Sequence, residues 1–415
     1  MKRLLKAISA LLICLSFQAV VIAQTTEPKK FQGFLGTYHP FKGTAYGGNG
    51  WPEGELIQKA FNFGENAVIS QAAYSGYDFA ENIENNCKNW DINKLYGILR
   101  PPTEKGVINQ PKDTELLKPF QTEPGMIQGA RRFSQISRRC PQLVGVIIDD
   151  FYNDYPKLLT AEDLRDIKDA LSGKSVDENG KVDRSSTATT PHLKLFIVVY
   201  EHQLDKILGK DMSDLVDGIS FWTWKQTEHH KNFDSYIETL QKNYPNKEII
   251  AGVYVFNGAE TPIPASVHHL VERVIDLYEH GRINGLLIFS AVWMSRERSA
   301  RERWQELALP QFLGRVYYPF LGEAVGRVVG ARSKEPITNA LVTVTRFANG
   351  KPLLVARKFT DRKGAYSFGS WAGRNKDERV GYEIRIESDG LKPQTLRVKL
   401  RAGESIESAD ARLKK

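Results

Sequence analysis

Two carboxylates directly follow one of the most apolar stretches of the chain, and a third lies a few residues further on. Residues 143–156 read LVGVIIDDFYNDYP, so Asp149 and Asp150 end the apolar run and Asp154 follows among aromatic residues. A near-continuous apolar run predicts a strand that is covered on both faces, as in a parallel sheet. The acids then lie at the carboxyl end of that strand, where α/β barrels carry out their chemistry.

A second strand-like run also ends in an acid. Residues 193–200 read LKLFIVVY and lead directly into Glu201 and His202. Neighbouring strands lie about 4.8 Å apart, and the two carboxyl groups of a retaining glycosidase lie about 5 to 5.5 Å apart. The two strand ends therefore predict a catalytic pair for glycosidic bond cleavage, with Asp150 as nucleophile or base and Glu201 as general acid.

Asp149 and Asp150 cannot both face the same pocket, because successive side chains of a strand alternate between its faces. Asp150 is favoured as the pocket residue since it is nearer the strand end, and Asp149 is then a supporting member of the catalytic group. Two alternatives remain open. Either aspartate can cap the following segment, and Glu201 can be a solvated loop acid. If the strand continues beyond Tyr200, Glu201 lies on the opposite face from Tyr200 and His202, so only one of these two sets can line the pocket.

Aromatic and basic side chains follow the other predicted strand ends. Binding pockets combine aromatic surfaces with a few polar groups that fix the orientation of the ligand. The predicted substrate-binding residues are Tyr38, His39, Arg100, His202, Trp222, Trp224, Tyr254 and Trp293. For Trp222 and Trp224, which share one strand face, packing in the core is the alternative, and an isolated histidine often has a structural role.

The elements that must position these residues alternate between strands and helices. Strands are predicted at 34–40, 66–74, 94–100, 143–148, 193–200, 215–224, 248–256 and 283–293. Helices are predicted at 124–139, 161–172, 234–243, 265–280 and 295–308. This alternation predicts an α/β fold, a (β/α)8 TIM barrel within residues 24–308. An open doubly wound sheet is the alternative, but no G-x-G-x-x-G follows the first strand.

The pattern changes after a predicted linker at residues 309–322. Short strand-like segments with turn residues between them occur at 324–329, 340–347, 353–360, 365–368, 382–386 and 394–400. They predict a small all-β sandwich over residues 323–415.

The sequences GRVV, PITNALVTV and TDRKGAYSF in this segment resemble the carboxypeptidase regulatory-like domain, a transthyretin-type sandwich. The matching residues are Gly326, Pro336, Ala340, Val342, Thr360, Asp361, Gly364, Tyr366 and Phe368. The resemblance covers the last quarter of the chain. It implies an accessory domain without catalytic residues.

The first 23 residues have the features of a cleaved secretory signal. Lys2, Arg3 and Lys6 precede an apolar run, and Val21-Ile22-Ala23 fits the small-residue rule for cleavage before Gln24. This predicts a secreted or periplasmic protein; a lipoprotein anchor at Cys14 is the alternative. No later run approaches the roughly 20 apolar residues that a membrane-spanning helix needs.

Charge and cysteine content limit the possible partners. The net charge of +8 is spread along the chain without a Lys/Arg cluster interleaved with aromatics, so no nucleic-acid partner is predicted. Cys87 and Cys140 can form a disulfide in an oxidising compartment or remain buried thiols. No His cluster accompanies them, so neither a metal nor another cofactor is predicted. The sequence leaves the oligomeric state open.

These features together predict a secreted hydrolase of glycans. The barrel resembles the glycoside hydrolase superfamily in architecture, but the chitinase-type spacing D-x-x-D-x-D-x-E does not fit Asp149, Asp150 and Asp154. A non-catalytic protein that binds a glycan or a cell-surface partner is the first alternative. A metal-assisted hydrolase using His39 or His202 is the second, although the H-x-H and H-E-x-x-H spacings are missing.

Overall fold

The structure is a computed structural model of the 415-residue chain. It describes residues 35–39, 67–70, 94–99, 123–149, 151–152, 159–206, 208–223, 230–254, 264–289, 320–348 and 351–415. The predicted signal segment and most of the predicted linker lie outside the described residues. Among the helices described, none is long and apolar enough to cross a membrane.

The first ten strands include the parallel sheet that the apolar runs predict. They are β1 (Leu35–His39), β2 (Ala67–Ser70), β3 (Lys94–Leu99), β4 (Leu143–Ile148), β5 (Ser175–Val176), β6 (Val182–Asp183), β7 (Lys194–Tyr200), β8 (Gly218–Trp222), β9 (Glu248–Tyr254) and β10 (Gly285–Phe289). Eight of them pair in parallel in the order β1-β10-β9-β8-β7-β4-β3-β2. Because β1 pairs with both β10 and β2, the strand order closes on itself. The hairpin of β5 and β6 was not predicted, since two-residue strands leave no periodic signal.

Helices lie between consecutive strands of this sheet from β3 to β10. They are α1 (Glu123–Ser137), α2 (Ala161–Leu171), α3 (Lys210–Ser213), α4 (Phe233–Asn243) and α5 (Pro264–Glu279). This alternation confirms the α/β class. The predicted helix at 295–308 lies outside the described residues, so a complete set of eight βα units remains a prediction.

The start of α2 shows how the sequence sets one of these boundaries. The backbone N–H of Asp163 donates to the Thr160 hydroxyl at 3.2 Å, and the Thr160 N–H donates to the Asp163 carboxylate at 2.6 Å. This reciprocal pair is a capping box, which satisfies two N–H groups that have no partner inside the helix. Leu164 and Ile167 then face the core on the apolar side of the helix.

The two faces of the parallel strands pack into different clusters. One face fills the inside of the ring with side chains from β3, β4, β7, β8, β9 and β10, and we call these residues the interior cluster: Tyr96, Val144, Ile147, Phe196, Val198, Tyr200, Trp222, Ile250, Tyr254 and Leu287. The other face packs against the helices, as Val146 and Ile148 of β4 do. The inside of the ring is therefore packed with side chains along the strands that the structure describes.

The C-terminal segment forms separate β-sheets with mainly antiparallel pairing, as predicted, and only the pairs of β11 with β17 and β18 are parallel among the described strands. Its strands are β11 (Leu321–Gly330), β12 (Leu341–Ala348), β13 (Lys351–Phe359), β14 (Ala365–Trp371), β15 (Val380–Glu387), β16 (Gln394–Leu400), β17 (Ser405–Ile406) and β18 (Ala411–Leu413). One sheet has the order β13-β12-β15-β16, and β11 joins β14, β17 and β18 in the other. They enclose a hydrophobic core of their own. The strand β11 begins two residues before the predicted domain boundary.

A turn in this domain explains part of the TDRKG motif. The Asp361 carboxylate accepts hydrogen bonds from the backbone N–H groups of Lys363 and Ala365, at 2.8 and 2.7 Å. Gly364 has a φ of 68°, and a Cβ at this position would lie 2.5 Å from the Val328 carbonyl oxygen. Glycine is needed there because of both the left-handed backbone and the close approach.

Cys140 follows α1, is buried and is disulfide-bonded. Cys14 belongs to the predicted signal segment, so Cys87, which lies outside the described residues, is the expected partner. A bond that closes a loop of this length is expected to stabilise the fold by about 4 kcal/mol, through the entropy of the unfolded chain. Cys140→Ser should therefore lower the free energy of unfolding by about that amount, as measured by urea denaturation.

The control for this prediction is Cys87→Ser, which should have the same effect. Peptide mapping without reductant should recover residues 87 and 140 in one linked peptide. Two free thiols per unreduced chain, by thiol titration, would contradict the pairing.

Candidate functional site

The carboxyl ends of β4, β7, β8 and β9 are the best-described part of the predicted site. Four of the predicted site residues lie outside the described residues: Asp150, Arg100, Trp224 and Trp293. Tyr38 and His39 are the last two residues of β1, level with Ile69 and Ser70 of β2. Their predicted contribution to substrate binding remains untested.

Glu201 follows the last residue of β7 and begins a short 3-10 helix, Glu201–Gln203. The backbone N–H of Tyr200 donates to the Gln203 side-chain oxygen at 3.1 Å, which stabilises the tight turn at the strand end. The Glu201 side chain is only 5% exposed. A solvated loop acid would be far more exposed, so this burial favours a role in a site or in a buried contact.

His202 lies beside this carboxylate on the solvent side. Its Nδ1 is 3.8 Å from Oε1 of Glu201, and the His202 side chain is 57% exposed. The imidazole ring stacks on Tyr200 with 5.6 Å between ring centroids and 12° between the planes. Because Tyr200 belongs to the interior cluster, this stacked pair connects the inside of the ring with an exposed side chain.

Trp222 and Tyr254 form the next part of the interior cluster. Trp222 is 2% exposed, its Nε1 donates to the Ser220 hydroxyl at 2.9 Å, and its ring centroid is 5.1 Å from that of Tyr254. A Cβ on Gly252 would lie 2.0 Å from Trp222 Cδ2, so only glycine leaves room for the indole. The described contacts of Trp222 are those of core packing, and its stacking on a sugar remains a prediction.

Sequence reasoning missed Ser220 and Gly252 as partners of this tryptophan. A glycine inside a strand often marks the close approach of a bulky group, and Gly252 gave that signal. Its partner could not be identified without knowing that β8 and β9 are neighbours with Trp222 level with Gly252.

Asp149 lies immediately after β4 and is partly buried. Its backbone N–H donates to the Leu99 carbonyl at 3.4 Å, so the chain continues alongside β3 at this point. Ile147 faces the inside of the ring and Ile148 faces the helices. The strand ends at Ile148, and Asp150 lies outside the described residues. The preference for Asp150 over Asp149 as the pocket residue therefore stays a prediction.

The strand register determines how far apart the acids can lie. Strands β4 and β7, which lead to Asp149 and Glu201, are neighbours, as predicted. Ile148 of β4 is level with Ile197 of β7. Asp149 is therefore level with Val198, three residues before Glu201. With about 3.3 Å per residue and about 4.8 Å between strands, the two Cα atoms lie at most about 11 Å apart. The acids are staggered rather than level, a difference that strand lengths alone could not predict.

The part of the chain that the structure describes contains no cluster of side chains with the geometry of a metal site. No group of three or more His, Cys, Asp and Glu side chains lies close enough there to hold a metal ion. The prediction of a site without metal stays a prediction.

Distant structural similarities connect this chain with several solved structures. No family model matches the chain, and no curated protein matches it. An active-site mutant of the Rhizomucor miehei β-1,3-glucanosyltransferase, in complex with laminaritriose, is 11% identical over 62% of this chain and 86% of its own, with a TM-score of 0.39. A phosphonopyruvate hydrolase in complex with oxalate and Mg²⁺ is 10% identical over 68% and 82%, with a TM-score of 0.35.

A third similarity, to the Bacillus anthracis TIE protein, has 22% identity and a TM-score of 0.19. It involves 23% of this chain and 17% of that protein, so the chain spans well under two thirds of that length. With TM-scores below 0.5, none of these similarities carries an argument about function. The site has to be interpreted from its own residues.

Proposed function

We propose that the protein is a secreted glycan-active hydrolase on a complete (β/α)8 barrel, with Glu201 as the general acid. One observation supports this best. A carboxylate that is almost fully buried directly follows a parallel strand, and beside it the exposed His202 stacks on the inward-facing Tyr200. Enzymes of this architecture place catalytic residues at this end of their strands.

The proposed chemistry assigns different tasks to the two strand ends. Glu201, in its protonated form, donates a proton to the leaving glycosidic oxygen as the bond to the anomeric carbon breaks. The neighbouring His202 is exposed and can return a proton from solvent after each turnover.

The second carboxylate of this proposal is Asp149, because alternation continued from the inward-facing Ile147 would turn Asp149 towards the inside of the ring. A nucleophile must reach the anomeric carbon directly, with about 5 to 5.5 Å between the carboxyl groups, whereas a base acting through water needs about 6.5 to 9.5 Å. The stagger between β4 and β7 favours the longer separation. We therefore propose Asp149 as a base that activates water, which predicts inversion at the anomeric carbon.

A non-catalytic glycan-binding protein is the second candidate. The same stagger favours it, because carboxyl groups held too far apart cannot act on one bond. The exposed His202 above Tyr200 would then contribute to a binding surface, and Glu201 would accept hydrogen bonds from sugar hydroxyls.

An activity and binding screen separates these two candidates. Purified protein is incubated with defined polysaccharides, reducing ends are counted, and retention on the same polysaccharides is measured by affinity electrophoresis. The hydrolase proposal predicts reducing ends from at least one glycan and loss of this activity in Asp149→Asn. Retention by a glycan without any reducing ends would favour the binding protein.

A further inference from the structure

We infer that the C-terminal sandwich is a fixed end cap of the barrel, which closes the amino-terminal ends of its strands and stabilises them. This inference goes beyond the proposed hydrolase activity and does not depend on it. Residues Phe31–Lys415 form a single compact unit, so both domains belong to one body. The contacts between them come from three places in the sandwich.

The first contact lies at the amino-terminal opening of the ring. Lys94, the first residue of β3, donates from Nζ to the Leu354 carbonyl oxygen on β13 at 2.8 Å. The Leu354 side chain packs against the interior cluster. Leu353 and Leu354 line a small cavity there, together with Lys94 and Glu248. A strand of the sandwich therefore lies across this end of the barrel.

One of the charged groups beneath that strand, the ammonium group of Lys94, is buried. Lys194 and Glu248, the first residues of β7 and β9, form an ion pair. Burial lowers the pKa of Lys94 to about 8, an effect that Glu248 opposes and Lys194 reinforces. A buried ammonium group needs an acceptor, and the sandwich supplies one through the Leu354 carbonyl.

The second contact is made with helix α5. Two parts of the sandwich take part in it, the loop after β14 and the strand β12. Nη1 of Arg374 lies 2.8 Å from the Asp276 carboxylate, and its backbone N–H donates to Glu279 at 2.9 Å. The guanidinium of Arg346 lies 5.2 Å from the centroid of the Tyr278 ring, with Arg346 only 7% exposed. A cation held over an aromatic ring and shielded from water is stabilised more than an exposed one.

The third contact lies beside the chain that enters β4 and β7. Nη1 of Arg357 on β13 donates to the Pro141 carbonyl oxygen at 3.3 Å. Burial, and secondly the charge of Arg357, lower the pKa of His192 to about 4. His192 is therefore neutral at neutral pH, and its side chain does not repel the docked arginine.

The docking site and the candidate catalytic site lie at opposite ends of the same strands. β7 runs from Lys194, beneath the sandwich, to Tyr200, immediately before Glu201. At about 3.3 Å per residue, Lys194 and Glu201 are roughly 20 Å apart. The described contacts therefore place the sandwich at the amino-terminal ends of the strands, away from the end that carries the candidate catalytic site.

Hydrogen exchange on the full-length chain tests this role. Leu354→Arg places a cation next to Lys94 and Lys194, and Arg374→Glu reverses the contact with α5. Arg397→Glu on β16 is the matched control, because Arg397 is 85% exposed and contacts Glu383 of its own sheet. Peptides covering β3 and β9 report on the barrel, and a peptide covering β15 reports on the core of the sandwich.

We expect exchange in β3 and β9 to accelerate about tenfold in Leu354→Arg and about threefold in Arg374→Glu, because local opening becomes easier. Exchange in β15 should stay at its wild-type rate, and Arg397→Glu should match wild type throughout. If Leu354→Arg fails to fold, Arg374→Glu decides the question alone. Wild-type exchange in β3 and β9 of Arg374→Glu, or equal acceleration in Arg397→Glu, would overturn the inference.

Discussion

Replacing Glu201 with Gln is expected to lower kcat for glycan hydrolysis by about 100-fold or more, while the protein stays folded. General acid catalysis typically contributes a factor of about 10² to 10⁴, and the amide cannot donate the required proton with comparable acidity. The side chain keeps its size, so the buried position of Glu201 at the end of β7 should remain filled. Steady-state kinetics on the glycan identified by screening measures the effect.

Asp205→Asn is the matched control for this substitution. Asp205 is an exposed acid four residues further along the same loop, so the control makes the same kind of change without touching the buried carboxylate. Its kcat should stay within about twofold of wild type. Equal losses in both variants would indicate a general effect on the loop and contradict the assignment of Glu201.

Replacing Trp222 with Ala is expected to lower the free energy of unfolding by about 3 to 5 kcal/mol, the usual cost of removing a buried Trp or Phe side chain. Trp222 fills the space between Ser220, Gly252 and Tyr254, so its removal should leave a cavity in the interior cluster. Urea denaturation followed by far-UV circular dichroism measures the change.

Phe347→Ala provides the control, because Phe347 is the exposed large hydrophobic residue of β12, with 52% of its surface accessible. Its effect should stay within about 0.5 kcal/mol, as is usual for surface substitutions. If Trp222→Ala were as stable as wild type but no longer bound the glycan, Trp222 would be a sugar platform rather than part of the core.

The strands and helices near the candidate site could be predicted well because their signals are local. The apolar run 143–148 matches β4, and the capping pair of Thr160 and Asp163 sets the start of α2. These features depend on burial of a continuous segment or on hydrogen bonds within four residues, both of which the sequence displays directly.

The offset between Asp149 and Glu201 along the strand direction could not be predicted, because it depends on the register between β4 and β7. Asp149 and Glu201 each follow a predicted strand end, but the pairing of Ile148 with Ile197 staggers them by three residues. The choice between Asp149 and Asp150 depended on the same information. Alternation requires a reference residue of known direction, and Ile147 became that reference only once the interior cluster was known.

The contacts between the C-terminal domain and the barrel could not be predicted from the sequence either. Lys94, Arg346, Arg357 and Arg374 are ordinary basic residues in the sequence, and long-range contacts alone reveal that they join the two domains. The short strand-like segments of this domain correctly predicted separate β-sheets. Its contacts with the barrel depend on the pairing of distant residues, which no local pattern displays.

The leaving-group dependence of Glu201→Gln tests the central claim most directly. A general acid matters only when the leaving group needs a proton, so a dinitrophenyl glycoside of the same sugar should hardly require it. We predict that kcat/KM of Glu201→Gln falls about 100-fold or more on the natural linkage and less than about tenfold on the dinitrophenyl glycoside. Equal losses on both substrates, or wild-type activity on both, would contradict Glu201 as the general acid.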